Sequence, residues 1–101
     1  MMAAAFDPIV HAAPRLQICA RLAAAESVDF ATVRAMLDVS ESVLSKQVKV
    51  LEEAGYVEVR KLTSAQRRRT WLALTSAGRK AFAAHAAALR ALVGDADLAA
   101  E

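Results

Sequence analysis

Residues Ser40–Gly55, SESVLSKQVKVLEEAG, decide the fold of this chain. Ser40 reads as an N-cap, because its hydroxyl can accept one of the amide protons that the first helical turn leaves unpaired. Leu44, Val48 and Leu51 then recur at i, i+4 and i+7 and share one face of a helix. Ser42, Val43, Ser45, Lys46 and Lys49 point away from that stripe. Gly55 closes the helix, since glycine takes the left-handed C-terminal conformation without steric cost. One face is apolar; the other is small, hydroxylated and cationic. A helix of this make-up can lie in the major groove of DNA, so it reads as a recognition helix.

Upstream, Ala31–Asp38 reads as a short helix with Val33, Met36 and Leu37 facing inward. Val39 alone separates it from the Ser40 cap, and two helices joined so tightly cross at a large angle, as in a helix-turn-helix. Glu26–Asp29 is a polar break, and Phe30 anchors the connection, with room for a single short extended segment. From Arg15 to Ala25 the pattern is helical, with Leu16, Cys19 and Ala23 on one face and Ile18 and Leu22 beside it. Asp7 followed by Pro8 is a helix start. Pro14 predicts either a kink or two short helices meeting near Ala12–Ala13. Met1–Phe6 carries no organising signal.

Downstream the period changes. Tyr56–Leu62 alternates and is rich in β-branched residues, which predicts a strand. Thr63–Gln66 is turn-like, and Arg67–Leu74 is a second strand with Trp71 and Leu72 in its interior. Strand, basic loop and strand make a two-stranded wing. Thr75 caps a last helix from Ser76 to about Val93, which Gly94-Asp95 is expected to end. The expected fold class is α+β, mostly α: one domain over residues 1–101, with a helix-turn-helix at 31–55, a wing at 56–74 and a C-terminal dimerisation helix at 76–93.

Composition bounds the function. The 101 residues are 56% hydrophobic but 5% aromatic, so the core is thin and a partner subunit is a natural source of further burial. Net charge is +2, mildly basic, so the placement of the charges has to decide. Cys19 is the one cysteine, which excludes an internal disulfide and any multi-cysteine metal site. With neither a signal-peptide pattern nor a run long enough to span a bilayer, a cytoplasmic location is expected.

The cations are placed unevenly. Arg60, Lys61, Arg67, Arg68 and Arg69 lie on the two strands and their loop, and no acid occurs from Val59 to Leu74. By itself a run of arginines is most often a solvated surface. Here it follows a helix-turn-helix by one strand, where a wing meets the flanking minor groove and arginine suits phosphate or a narrow groove. On the helix, Ser42 and Ser45 can bond base edges or phosphates, Lys46 and Lys49 can reach guanine acceptors, and Val43 can meet a thymine methyl. Each serine is equally well explained as a local backbone partner. The lysines are less so, because they stand opposite Leu44 and Leu51. Glu41 in the first turn complements the helix dipole.

The runs VRAMLDVSESVLSKQVKVLEEAGYVEVRK and RRRTWLALTSAGRKAF resemble the winged helix-turn-helix of small MarR/ArsR-type bacterial transcriptional regulators. The chain is most similar to their short winged helix DNA-binding subgroup, over about Ala12–Leu92. The resemblance implies a homodimeric regulator that binds double-stranded operator DNA, with Ser42, Ser45, Lys46 and Lys49 on the groove face and Arg67 and Arg68 on the wing. Where an acid precedes the paired arginines of MarR wings, this chain has Gln66.

In the last helix, Phe82, Leu89 and Val93 stand at near-heptad spacing among small alanines that allow close approach of a second helix. Leu16, Phe82, His85, Leu89 and Leu92 are therefore the expected dimerisation residues, in a helical layer built from Ala12–Leu22 and Ala81–Val93. A two-fold dimer would read half-sites roughly 34–36 Å apart. Cys19 is a candidate redox sensor, but its apolar helical face favours a buried, inert thiol. His11 and His85 without a further ligand cluster make a poor metal site, so neither metal nor cofactor is expected. Trp71 fits core packing behind the wing better than an effector cavity. No nucleophile–base set or phosphate loop is present, and an enzyme is not expected. The expected function is a DNA-binding repressor. Its rival is a winged-helix protein-interaction module, and a third reading adds a switch driven by a small-molecule effector or by oxidation.

Overall fold

The computed structural model of the chain describes residues 6–100, with side chains described for 6–95. Its elements are α1 (Pro8–His11), α2 (Ala13–Ala23), β1 (Val28–Asp29), α3 (Phe30–Leu37), α4 (Glu41–Glu53), β2 (Val57–Ser64), β3 (Arg67–Leu74) and α5 (Ser76–Ala100). The strands form an antiparallel sheet in the order β1-β3-β2. The short extended segment before α3 is β1, with Val28 opposite Leu72 and Asp29 opposite Trp71.

The caps explain the boundaries. The Asp7 carboxylate accepts the Ile9 and Val10 amides, and Ala12 separates α1 from α2 ahead of Pro14. Ser40 Oγ accepts the Val43 amide at 3.2 Å, while Asp38 turns the chain with φ 54° between α3 and α4. Gly55 ends α4 with φ +82°, a conformation that side chains resist. Thr75 Oγ1 donates to the Gly55 carbonyl at 2.6 Å and accepts the Gly78 amide at 3.0 Å, seating α5 on the α4–β2 junction.

The core is built from Val10, Ile18, Cys19, Leu22, Val33, Leu44, Val48, Leu51, Val57, Leu72 and Leu74. The α4 stripe is buried as its spacing predicts. On α2 the buried centre is Ile18, Cys19 and Leu22, with Leu16 and Ala23 half-buried at its edge. Among the described residues no helix is long and apolar enough to cross a membrane.

Several expectations change. Met36 is 49% exposed rather than inward, because Val33 and Leu37 already fill the narrow face that an eight-residue helix can bury. The hairpin is tighter than Thr63–Gln66: the strands pair out to Ser64 and Arg67, leaving Ala65 and Gln66 as a two-residue turn with φ 51° and 63°. Gly94 does not end α5, which continues to Ala100. One glycine costs a helix about 1 kcal/mol relative to alanine, and the residues beyond it are mostly good helix formers without a proline. Of the N-terminal stretch expected to be without organisation, residues 1–5 lie outside the described residues. Phe6, by contrast, packs edge-on against His11 and His85.

Candidate nucleic-acid interface

The exposed face of α4 carries Ser42, Val43, Ser45, Lys46 and Lys49, opposite buried Leu44, Val48 and Leu51. Ser42 Oγ lies 3.3 Å from Ser40 Oγ, so part of its capacity is spent on the cap. Gln47 faces inward and accepts from Arg15 Nη1 at 2.8 Å, while Arg15 Nε donates to the Ile9 carbonyl at 2.6 Å. One guanidinium thereby ties the groove helix to the α1–α2 pair. No sequence pattern signals this role, because Arg15 and Gln47 are 32 positions apart.

The wing divides its charges between two faces. Paired strand residues share a face, and faces alternate along a strand. Val57, Val59, Leu72 and Leu74 therefore fix the inner side, and the same side continues outward through Lys61, Thr63, Thr70 and Arg68. Lys61 and Thr70 line a cleft with Ser45 and Lys49 of α4. Arg60, Leu62, Arg67, Arg69 and Trp71 occupy the outer face. Arg67 comes directly after the tight turn, with Arg68 and Arg69 next along β3, so the three arginines stand at the outer end of the wing.

Among the described residues Arg60 is ion-paired with Glu58, at 3.2 Å, and it is the one cation so engaged. Lys46, Lys49, Lys61, Arg67, Arg68 and Arg69 are exposed with no acid within ion-pair distance among the described residues. The exposed lysines of α4 and the basic hairpin beside them can each meet backbone phosphates, while Glu41, Glu52 and Glu53 of the same helix carry the opposite charge.

Trp71 is not behind the wing in the core. It lies half-buried on the outer face, opposite Arg60, and lines a groove with Ser27, Glu58 and Leu62. His85, expected on the dimer side of α5, is wholly buried inside the chain. Leu16, Phe82 and Leu89 are half-buried, and Leu92 is 57% exposed. Cys19 is buried, and loss of solvent around it raises its thiol to about 11. Among the described residues no three His, Cys, Asp or Glu side chains gather as a metal site would require.

Residues 15–93 match a family model described as "Winged helix DNA-binding domain". No curated protein matches the chain. Among solved structures, a transcriptional regulator homologue from Pyrococcus horikoshii is 27% identical, covers 88% of each chain and superposes with a TM-score of 0.83. A MarR-family regulator from Silicibacter pomeroyi is 25% identical over 82% of this chain and 55% of its own, with a TM-score of 0.66. The fold is shared as well by the ytfH protein from Salmonella typhimurium, at 18% identity, covering 90% of this chain and 80% of that one with a TM-score of 0.73.

Proposed function

The chain belongs to the winged helix DNA-binding domain family, and from that premise we propose that it is a sequence-specific regulator of transcription. It acts as a homodimer on operator DNA and represses by blocking polymerase. The carrying observation is that the exposed Lys46 and Lys49 of α4 stand beside a wing whose Lys61, Arg67, Arg68 and Arg69 have no ion-pair partner among the described residues, with Lys49 and Lys61 lining one cleft together with Glu41 and Glu52. In this reading Ser45, Lys46 and Lys49, with Val43 and Ser42, meet the major groove, and Arg67 and Arg69 at the outer end of the wing meet the minor groove. Arg68 lies on the inner side of the hairpin and takes a phosphate between the two.

The homodimer reading is supported by the end of α5. Leu92 and Val93 are each 57% exposed on a helix that runs to Ala100, and Leu89 is half-buried beside them. Leu16 and Phe82 are partly buried against the core of the same chain. His85 leaves the dimer set, since it has no surface to offer.

The test is fluorescence-anisotropy titration of duplex DNA from upstream of the gene, against a scrambled duplex, at several salt concentrations. The wild type binds the upstream duplex more tightly, and Lys46→Ala and Arg67→Ala weaken it. Equal, weak binding to both duplexes in low salt refutes the reading in favour of the interaction module.

A further inference from the structure

His85 is fully buried in α5, and the wing and groove helix make no use of it. Its two ring nitrogens are both committed. The Asp7 amide donates to His85 Nδ1 at 3.0 Å, and His85 Nε2 lies 3.0 Å from His11 Nδ1. Because Nδ1 accepts, the ring's proton sits on Nε2 and is donated to His11, whose own proton is then on Nε2. This is the arrangement of two neutral imidazoles. Phe6 covers the pair, edge-on to both rings.

The pair is linked to the recognition helix through Asp7. The Asp7 carboxylate accepts the Tyr56 hydroxyl at 2.6 Å as well as the Ile9 and Val10 amides. Tyr56 comes directly after Gly55, donates its amide to the Leu51 carbonyl of α4 and accepts the Thr75 amide that leads into α5. One hydrogen-bonded chain therefore runs from α5 through α1 to the exit of α4 and the start of the wing.

The geometry points to a proton-sensitive clasp: His85, His11 and Asp7 hold α1 against α5 and the end of the groove helix only while both imidazoles are neutral, so that mild acid releases DNA. This inference rests on the DNA-binding reading. A proton added to His85 Nδ1 sets two N–H groups face to face with the Asp7 amide. A proton added to His11 Nδ1 does the same across the 3.0 Å gap to His85 Nε2. Either way one link breaks and leaves a buried donor without a partner.

The surroundings resist the charge. Burial, and then the His11 ring, lower the His85 imidazole below its usual range, while the Asp7 carboxylate pulls the other way. Beyond Asp7 lie the Tyr56 hydroxyl and the Cys19 thiol of α2, with the Arg15 guanidinium acting on Cys19. A ring harder to protonate folded than unfolded contributes full stability above about pH 6.5, lost as the pH falls from there through the folded value.

The effect on DNA has a diagnostic sign. Acid adds positive charge, which by general electrostatics strengthens binding to phosphate. The clasp predicts the opposite: at fixed salt the wild type loses at least about tenfold in affinity between pH 7.5 and pH 5.5. His85→Gln supplies a neutral acceptor to the Asp7 amide and flattens this dependence. Without DNA, NMR of the wild type follows the Asp7 amide, which shifts together with the His85 ring and with the amides of Leu51 and Tyr56. An Asp7 amide that does not move with the ring overturns the clasp, and this readout also decides the matter where His85→Gln fails to fold. Wild-type affinity that is constant or rises in acid overturns the coupling to DNA. Failure to bind any duplex at pH 7.5 defeats the DNA reading instead, while the NMR still judges the clasp.

Discussion

A Cβ placed on Gly78 would stand 2.1 Å from the carbonyl oxygen of Tyr56. The first turn of α5 is pressed onto the backbone between α4 and β2, and the Tyr56 carbonyl is held there by the Thr75 amide at 3.0 Å. Backbone on both sides leaves nothing flexible to yield. Gly78→Ala is expected to cost about 3 kcal/mol, a fall of more than about 10 °C in thermal midpoint for a domain of this size. Circular-dichroism melting measures it, and a change within about 2 °C would show that the helix shifts freely.

Neighbouring Trp71 and Leu72 should respond very differently to truncation. Leu72 is fully buried on the inner face, whereas Trp71 lies half-buried on the outer one. Leu72→Ala is expected to cost about 3–4 kcal/mol in urea unfolding. Trp71→Ala should cost less than half as much, despite removing the larger side chain. Equal losses would place Trp71 in the core after all.

The two-residue turn at the wing tip holds Ala65 and Gln66 at positive φ, where Asn-Gly is the preferred pair. Ala65→Asn combined with Gln66→Gly is expected to stabilise the hairpin by roughly 1 kcal/mol. Amide hydrogen exchange at Leu62 and Arg69, which pair across the hairpin, should slow accordingly.

Cys19 should behave as a packing group rather than a sensor. Burial raises its thiol to about 11 from an ordinary 9.0, so the folded state holds the proton more tightly. Its contribution to stability is complete below about pH 9 and is lost as the pH rises through the folded value. Labelling by a thiol reagent at pH 8 should be slow in the native state and fast in urea. Fast native labelling would restore the redox reading.

The groove helix was legible in the sequence because Leu44, Val48 and Leu51 repeat with helical spacing while their neighbours are polar. The strand Trp71–Leu74 was not legible to the same degree, since apolar residues occupy both of its faces and alternation cannot say which is buried. His85 looked like one more member of an apolar α5 stripe. Its partners Asp7 and His11 lie 78 and 74 positions away, beyond any periodicity. The two glycines Gly55 and Gly94 looked alike as helix ends. The residues beyond them set them apart: after Gly55 a β-branched run that must turn away, after Gly94 residues that prolong a helix.

Methylation interference on the bound operator addresses the DNA-binding geometry head-on. Dimethyl sulfate marks guanine N7 in the major groove and adenine N3 in the minor groove, so one experiment reports on α4 and the wing together. Two clusters of guanine N7 interference are expected about one helical turn apart, roughly 34–36 Å, each flanked by adenine N3 interference. Lys46→Ala should erase the first signal and Arg67→Ala the second. Binding that tolerates methylation at every guanine and adenine of the site would contradict a recognition helix in one groove and a wing in the other.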